Sequence, residues 1–221
     1  AAEKAGIIKS GAPVIVAPQR NEAKKMISEA ATDKGASMVQ VGRDVTWHMR
    51  DEDEKGQSFD VSGLYNDYHV WMPLLGEHQV ENACTAIATV ETLGDRGINV
   101  PSESIINGLR RVRWPGRLQE LLNEGARVVV DGAHNADSMR RLVRAVGKLY
   151  EFRRVILIFG ALEGHSIRGM MEEVTKLSPS VVAVRSRHPR AAPVDTIASA
   201  AREAGLSVQF ESEETGLAMR R

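Results

Sequence analysis

The chain has 221 residues, 43% of them hydrophobic. That is enough apolar surface to build a core and to exclude wholesale disorder. Its 29 Lys and Arg balance 29 Asp and Glu, so it lacks the basic surplus with which a nonspecific nucleic-acid binder displaces counterions. No apolar run approaches the roughly 18 residues of a membrane span, and no signal-peptide pattern opens the chain. The lone Cys84 permits no internal disulfide and points to a reducing, cytoplasmic setting. The chain opens at Ala1 rather than Met, as an excised piece of a longer protein would.

In chain order, the first half reads as irregular α/β. Residues 14–17 form a strand after a Gly11-Ala12-Pro13 turn. Ala23, Met26, Ile27, Ala30 and Ala31 make a helical stripe closed by Gly35. Residues 38–75 hold strand-like pieces around the acidic stretch Asp51-Glu52-Asp53-Glu54, expected as a solvated hairpin tip. A long helix is expected over 77–93 and a shorter one over 102–111.

The pattern changes near residues 114–117. Short apolar or β-branched runs at 127–130, 155–159, 181–184 and 206–210 alternate with helical stripes. One stripe is Met139, Leu142, Val143, Val146 and Leu149; another is Ile167, Met170, Met171 and Val174; a third is Val194, Ile197, Ala198 and Ala201. This alternation predicts parallel strands with helices outside. Residues 211–214 read as a fresh helix start.

In such a sheet ligands bind beyond the carboxyl ends of the strands. Three loops qualify: Asp131-Gly132-Ala133-His134-Asn135, Gly160 to His165, and Arg185 to Arg190. Asp131 can accept two hydrogen bonds from a ribose diol, or it can cap the turn at Gly132. His134 and Asn135 stand at a helix entrance, where free N–H groups attract anions. Arg140, Arg144 and Lys148 form a basic helical stripe, readable as a track for an acidic ligand or as a solvated face. The arginines of the third loop could grip a carboxylate, and His165 could cap or pack at its helix start. There is no phosphate-binding G-x-x-x-x-G-K-[ST] loop, no zinc spacing and no G-x-S-x-G elbow.

Four stretches in order carry a resemblance: Glu3-Lys4-Ala5-Gly6-Ile7-Ile8-Lys9, Leu75-Gly76-Glu77-His78-Gln79-Val80-Glu81-Asn82-Ala83, Trp114-Pro115-Gly116-Arg117-Leu118 and Asp131 to Asn135. Together they resemble the folylpolyglutamate synthase/dihydrofolate synthase family of the Mur ligase superfamily. The resemblance implies an α/β chain: residues 1–113 as the C-terminal part of the central ATPase domain, then a Rossmann-like parallel-sheet ligase domain over 114–221. It implies an ADP-forming ligase in which ATP activates a carboxylate of dihydropteroate or of a folate tail. The amine of L-glutamate then attacks the acyl phosphate, with Mg2+ neutralising charge.

By the same resemblance, Asn82 contacts adenine, Arg117 reaches the phosphates from the interdomain hinge, and Asp131 meets the ribose. His134 takes the incoming glutamate, and Lys4, once carbamylated, becomes an Mg2+ ligand. Gly164-His165 departs from the family, which often shows an Asp-Lys-Asp-like run there. The family's P-loop, acidic metal ligand and metal-binding histidine precede the Glu3 stretch, and the last strand region of its ligase domain would come after Arg221. None of these is in the chain, so the chain alone is expected to be inactive and to self-associate through exposed apolar surface, the parent being monomeric. A cell-wall precursor ligase and a non-catalytic nucleotide-binding module are the competing readings.

Overall fold

A computed structural model describes residues 5–123 and 126–214. The Glu3 and Lys4 of the first stretch therefore lie outside the described residues. The chain divides into two compact units, Ala1–Pro115 and Gly116–Arg221.

The first unit opens with β1 (Val14–Val16), α1 (Asn21–Asp33) and β2 (Met38–Gln40), the strands pairing in parallel with Val14 against Met38. A three-stranded antiparallel meander follows: β3 (Thr46–Asp53), β4 (Gly56–Ser62) and β5 (Asp67–Met72). The acidic stretch closes the β3–β4 hairpin, where Asp53 Oδ1 accepts from the N–H groups of Lys55 at 2.8 Å and Gly56 at 3.0 Å. Alternation along β5 sends Tyr68, Val70 and Met72 inward and Asp67, His69 and Trp71 outward.

Two helices complete this unit, α2 (Glu77–Gly94) and α3 (Ser102–Arg110). The buried face of α2 packs Val80, Cys84, Ile87 and Ala88 on Phe59, Val61, Val70 and Met72. Cys84 is a core residue; burial pushes its thiol pKa up to about 12. Glu91 is a charged residue on that face. It is buried, and its carboxylate accepts from the N–H groups of Leu64 (2.7 Å), Tyr65 (3.3 Å) and Asn66 (3.1 Å) and from the Tyr68 hydroxyl (2.9 Å). It thereby ties the β4–β5 turn to the helix.

The second unit begins with an antiparallel pair, β6 (Gln119–Asn123) and β7 (Ala126–Val130), in register Gln119 to Val130. Helix α4 (Ala136–Leu149) follows, then β8 (Ile156–Phe159), α5 (Ile167–Val174), a 3-10 turn (Thr175–Leu177), β9 (Ser180–Val184), α6 (Val194–Glu203) and β10 (Ser207–Ser212). Strands β8, β9 and β10 form a parallel sheet with β9 in the centre. The three helical stripes cover one face of it: Met139 and Val143, Met170 and Met171, and Ile197, Ala198 and Ala201 pack on Phe159, Val181 and Ala183. Val182 and Val184 are buried with Phe210 on the opposite face, so β9 is apolar on both sides, as a central parallel strand is.

Two details depart from the expected pattern. The run at 127–130 pairs antiparallel with β6 and, among the described residues, shares no ladder with β8. Strand β6 opens on Gln119 and Glu120 and carries no strand-like alternation; a backbone partner, not a side-chain pattern, makes it a strand. Glu211 and Ser212 belong to β10 rather than to a helix start, because pairing with Ala183 and Val184 carries the strand on.

Candidate functional site

The ends of β7, β8 and β9 carry the three polar loops, and local bonds bring them together. The first loop is organised by Asp131, half-buried just past β7. Its Oδ1 accepts from the Ala133 N–H at 2.8 Å and its Oδ2 from the Leu118 N–H at 2.9 Å. The carboxylate thus caps its own turn and clasps the chain entering β6. Both roles open to it from sequence remain available, since each oxygen keeps a further acceptor site.

The clasp matters because Leu118 is buried with a left-handed backbone, φ 44°, a conformation costing a bulky residue on the order of 1 kcal/mol or more. Held there, the chain turns Arg117 back over the loop. Arg117 Nη1 lies 2.6 Å from where a Cβ at position 132 would stand. Gly132 is therefore the seat of the guanidinium, and a side chain at that position would have to displace it.

His134 sits two residues further on, exposed. Its Nδ1 is 2.9 Å from the Gly132 carbonyl oxygen. A carbonyl only accepts, so Nδ1 carries a proton, and in the neutral form of the ring the lone pair is on Nε2. Helix α4 starts immediately after. Asn135, not His134, is its N-cap, with Asn135 Oδ1 accepting from the Ser138 N–H at 2.9 Å and Ser138 Oγ accepting from the Asn135 N–H at 3.1 Å, a reciprocal capping box.

The second loop joins the first through rings. His134 and His165 stand edge to face, centroids 5.6 Å apart and planes at 78°. The third loop joins the second through backbone: Leu162 bridges Ala191, and the Glu163 N–H donates to Arg190 O at 2.8 Å. Arg117, Asp131, Gly132, His134 and His165 thus form one polar cluster within the second unit.

The basic stripe is less open to a ligand than its sequence implies. Arg140 Nε bonds Glu173 at 3.0 Å and its Nη1 bonds Asp137 at 3.1 Å. Lys176 and Arg140 together hold the Glu173 carboxyl below the usual carboxylate range. The third loop's Arg185 pairs with Glu213 at 3.3 Å.

Asn82 belongs to the first unit. It lies exposed on α2, and its Nδ2 donates to Oε1 of the buried Gln79 at 3.1 Å. Lys4 lies outside the described residues. Among the described residues no group of three or more His, Cys, Asp or Glu side chains could hold a metal ion, so they do not by themselves fit Mg2+. Among the same residues no helix is long and apolar enough to cross a membrane.

Residues 116–220 match the Mur ligase glutamate ligase domain. These residues belong to the Mur ligase family. Relatives share most of the chain's length. The Bacillus subtilis dihydrofolate synthase/folylpolyglutamate synthase is 30% identical over 194 residues, 86% of this chain and 45% of that protein. The Mycobacterium tuberculosis folylpolyglutamate synthase complexed with ADP superposes with a TM-score of 0.86 at 26% identity, covering 96% of this chain and 48% of that one. A Streptococcus agalactiae UDP-N-acetylmuramoyl-L-alanyl-D-glutamate–L-lysine ligase is 35% identical over 133 residues, 58% of this chain and 26% of that protein. The chain spans about half the length of the two folate-enzyme relatives.

Sequence reading missed two parts of the cluster, Gly132 as a seat for Arg117 and His165 as the ring against His134. The glycine was visible inside its motif, but nothing in the sequence says which side chain uses the space. The two histidines are 31 positions apart, and only the packing of α4 against α5 brings them together.

Proposed function

We propose that this chain supplies the ligase unit and part of the ATPase unit of an ATP-dependent amide ligase. The enzyme joins L-glutamate to dihydropteroate or to the glutamate tail of a folate. The names of the relatives support the substrate class, and the Asp131 clasp carries the reading at the site. One carboxylate fixes Arg117 over Gly132 and leaves His134 beside it, an arrangement suited to a nucleotide on one side and an amino acid on the other.

In the reaction an oxygen of the acceptor carboxylate attacks the γ-phosphorus of ATP and ADP leaves. The glutamate nitrogen then attacks the acyl carbon, loses its proton, and inorganic phosphate leaves. Asp131 accepts from the ribose hydroxyls through its remaining acceptor sites. Arg117 meets the phosphates, where a guanidinium balances charge building in transfer. His134, with its lone pair on Nε2, accepts a hydrogen bond from the ammonium of the incoming glutamate; a carboxylate would need the protonated ring. Asn82 contacts adenine, and Lys4, if carbamylated, would supply an oxygen ligand to Mg2+. Residues 1–113 are the C-terminal part of the central ATPase domain, and the ligase domain runs from residue 114.

Calorimetric titration of the chain with ADP tests the site. We expect binding that Arg117→Ala and Asp131→Asn each weaken by about tenfold, the loss of one charge-assisted hydrogen bond. Unchanged affinity in both variants would overturn these assignments. The kinship with the L-lysine-adding ligase favours one second reading, amino-acid addition to a cell-wall peptide precursor. Growth rescue of a strain lacking folylpolyglutamate synthase, by the protein containing this chain, separates the two.

A further inference from the structure

The ring contact between His134 and His165 has a consequence for the amino-acid side of the site, and it rests on the reading of His134 given above. His134 is exposed, and among the described residues its imidazole is tethered by a single hydrogen bond, Nδ1 to the Gly132 carbonyl at 2.9 Å. A ring on one exposed tether can turn about its last side-chain bond and exchange that bond for water. His165 stands against that ring, nearly perpendicular at 78° with the centroids 5.6 Å apart. Edge-to-face is one of the two favoured arrangements of aromatic rings at this distance.

His165 is itself held. Gly164 turns the chain with φ 84° just before it, and the His165 carbonyl accepts from the Ile167 N–H at 2.9 Å. Ile167 is buried in the core of the unit. The start of α5 also presses close on the start of α4: a Cβ at Gly169 would come within 3.3 Å of the Ala136 Cβ and 2.9 Å of Ser166 Oγ. The two histidines therefore precede two helices whose N-terminal ends are locked side by side.

We infer that His165 is a positioning residue for His134: its ring keeps the His134 imidazole on the Gly132 carbonyl and so fixes Nε2 as the nitrogen with the free lone pair. That nitrogen is the one the incoming ammonium meets. A ring free to turn would spend part of its time with the proton on Nε2, and that tautomer offers the ammonium a donor instead of an acceptor.

Nitrogen-detected NMR of the histidine-labelled chain reads the tautomer directly, with His134 assigned through His134→Gln. We expect wild-type His134 to be protonated mainly on Nδ1. In His165→Ala the Nδ1–H to Nε2–H ratio should fall about fivefold, the fold-change carried by one net hydrogen bond. His165→Phe, which keeps a ring, should restore most of it. Should the alanine variant fail to fold, His165→Leu keeps the volume without the aromatic ring and should show the same fall. An unchanged ratio in the folded Ala or Leu variant overturns the inference.

Titration with L-glutamate, followed on the His134 ring signals, reads the functional assignment separately. A shifted tautomer ratio without a glutamate response upholds the positioning role and removes the amino-acid reading. A glutamate response with an unaltered ratio does the reverse.

Discussion

At the scale of single residues, Gly132 and Asp131 act on Arg117 by different routes. Gly132 provides space. Gly132→Ala would meet the end of a flexible side chain rather than backbone, so its stability should change by less than about 0.5 kcal/mol. Its ADP affinity should nevertheless fall by about tenfold as Arg117 is pushed away. Calorimetry beside thermal melting checks both halves, and an unchanged ADP affinity would separate Arg117 from the phosphates. Asp131 instead holds backbone. Removing it strands the N–H groups of Leu118 and Ala133, so Asp131→Ala should also destabilise the second unit by about 2 kcal/mol. Denaturant unfolding reads that cost; the asparagine variant keeps one acceptor and strands only one of the two N–H groups, so it perturbs the unit less.

At the scale of elements, each unit has one polar device that its apolar pattern does not reveal. In the first, Glu91 sits on the buried face of α2, at a position the helical periodicity assigns to an apolar residue. Its carboxylate takes four hydrogen bonds from the β4–β5 turn and Tyr68. Glu91→Ala should cost the first unit about 3 kcal/mol, because buried donors lose their acceptor together; the shift of its denaturation midpoint measures this. In the second unit, the Asn135–Ser138 capping box fixes where α4 begins, and with it how His134 leaves the turn. Asn135→Ala should cost about 1 kcal/mol, visible as faster amide exchange in the first turn of α4.

Across the whole molecule, formal neutrality hides a set of paired carboxylates. The Asp60 carboxyl is held below its usual range by a hydrogen bond from His69, 2.7 Å away, and by Arg50. Asp44 is lowered by Arg43, and Glu173 by Lys176 and Arg140. In each case the folded state binds the proton more weakly than the unfolded state does. The stabilisation is therefore present above the unfolded pKa, near 3.8 for Asp and 4.5 for Glu, and is lost as pH falls through the lower folded values. Acid titration of unfolding should show stability falling below about pH 4.5. Added salt should weaken the effect, since these pairs are exposed. In Asp60→Asn the acid-linked loss should shrink, and an unchanged acid profile would show that the Arg50–Asp60–His69 row contributes nothing.

The sequence by itself determined the parts that depend on local order. The three apolar stripes of the second unit became α4, α5 and α6, because a period of 3.6 residues leaves only one face to bury. The runs at β8, β9 and β10 became parallel strands for want of any turn short enough to reverse them. The Asp131 to Asn135 motif marked the site because its residues are contiguous. Only the tertiary structure decided the rest. β6 is a strand because β7 lies beside it, Glu91 is tolerated because a turn delivers its donors, Arg117 rests on Gly132 because Asp131 clasps Leu118, and His165 meets His134 because two helix starts pack together. The last three depend on a partner distant in sequence, and a linear pattern carries no record of which distant group will arrive.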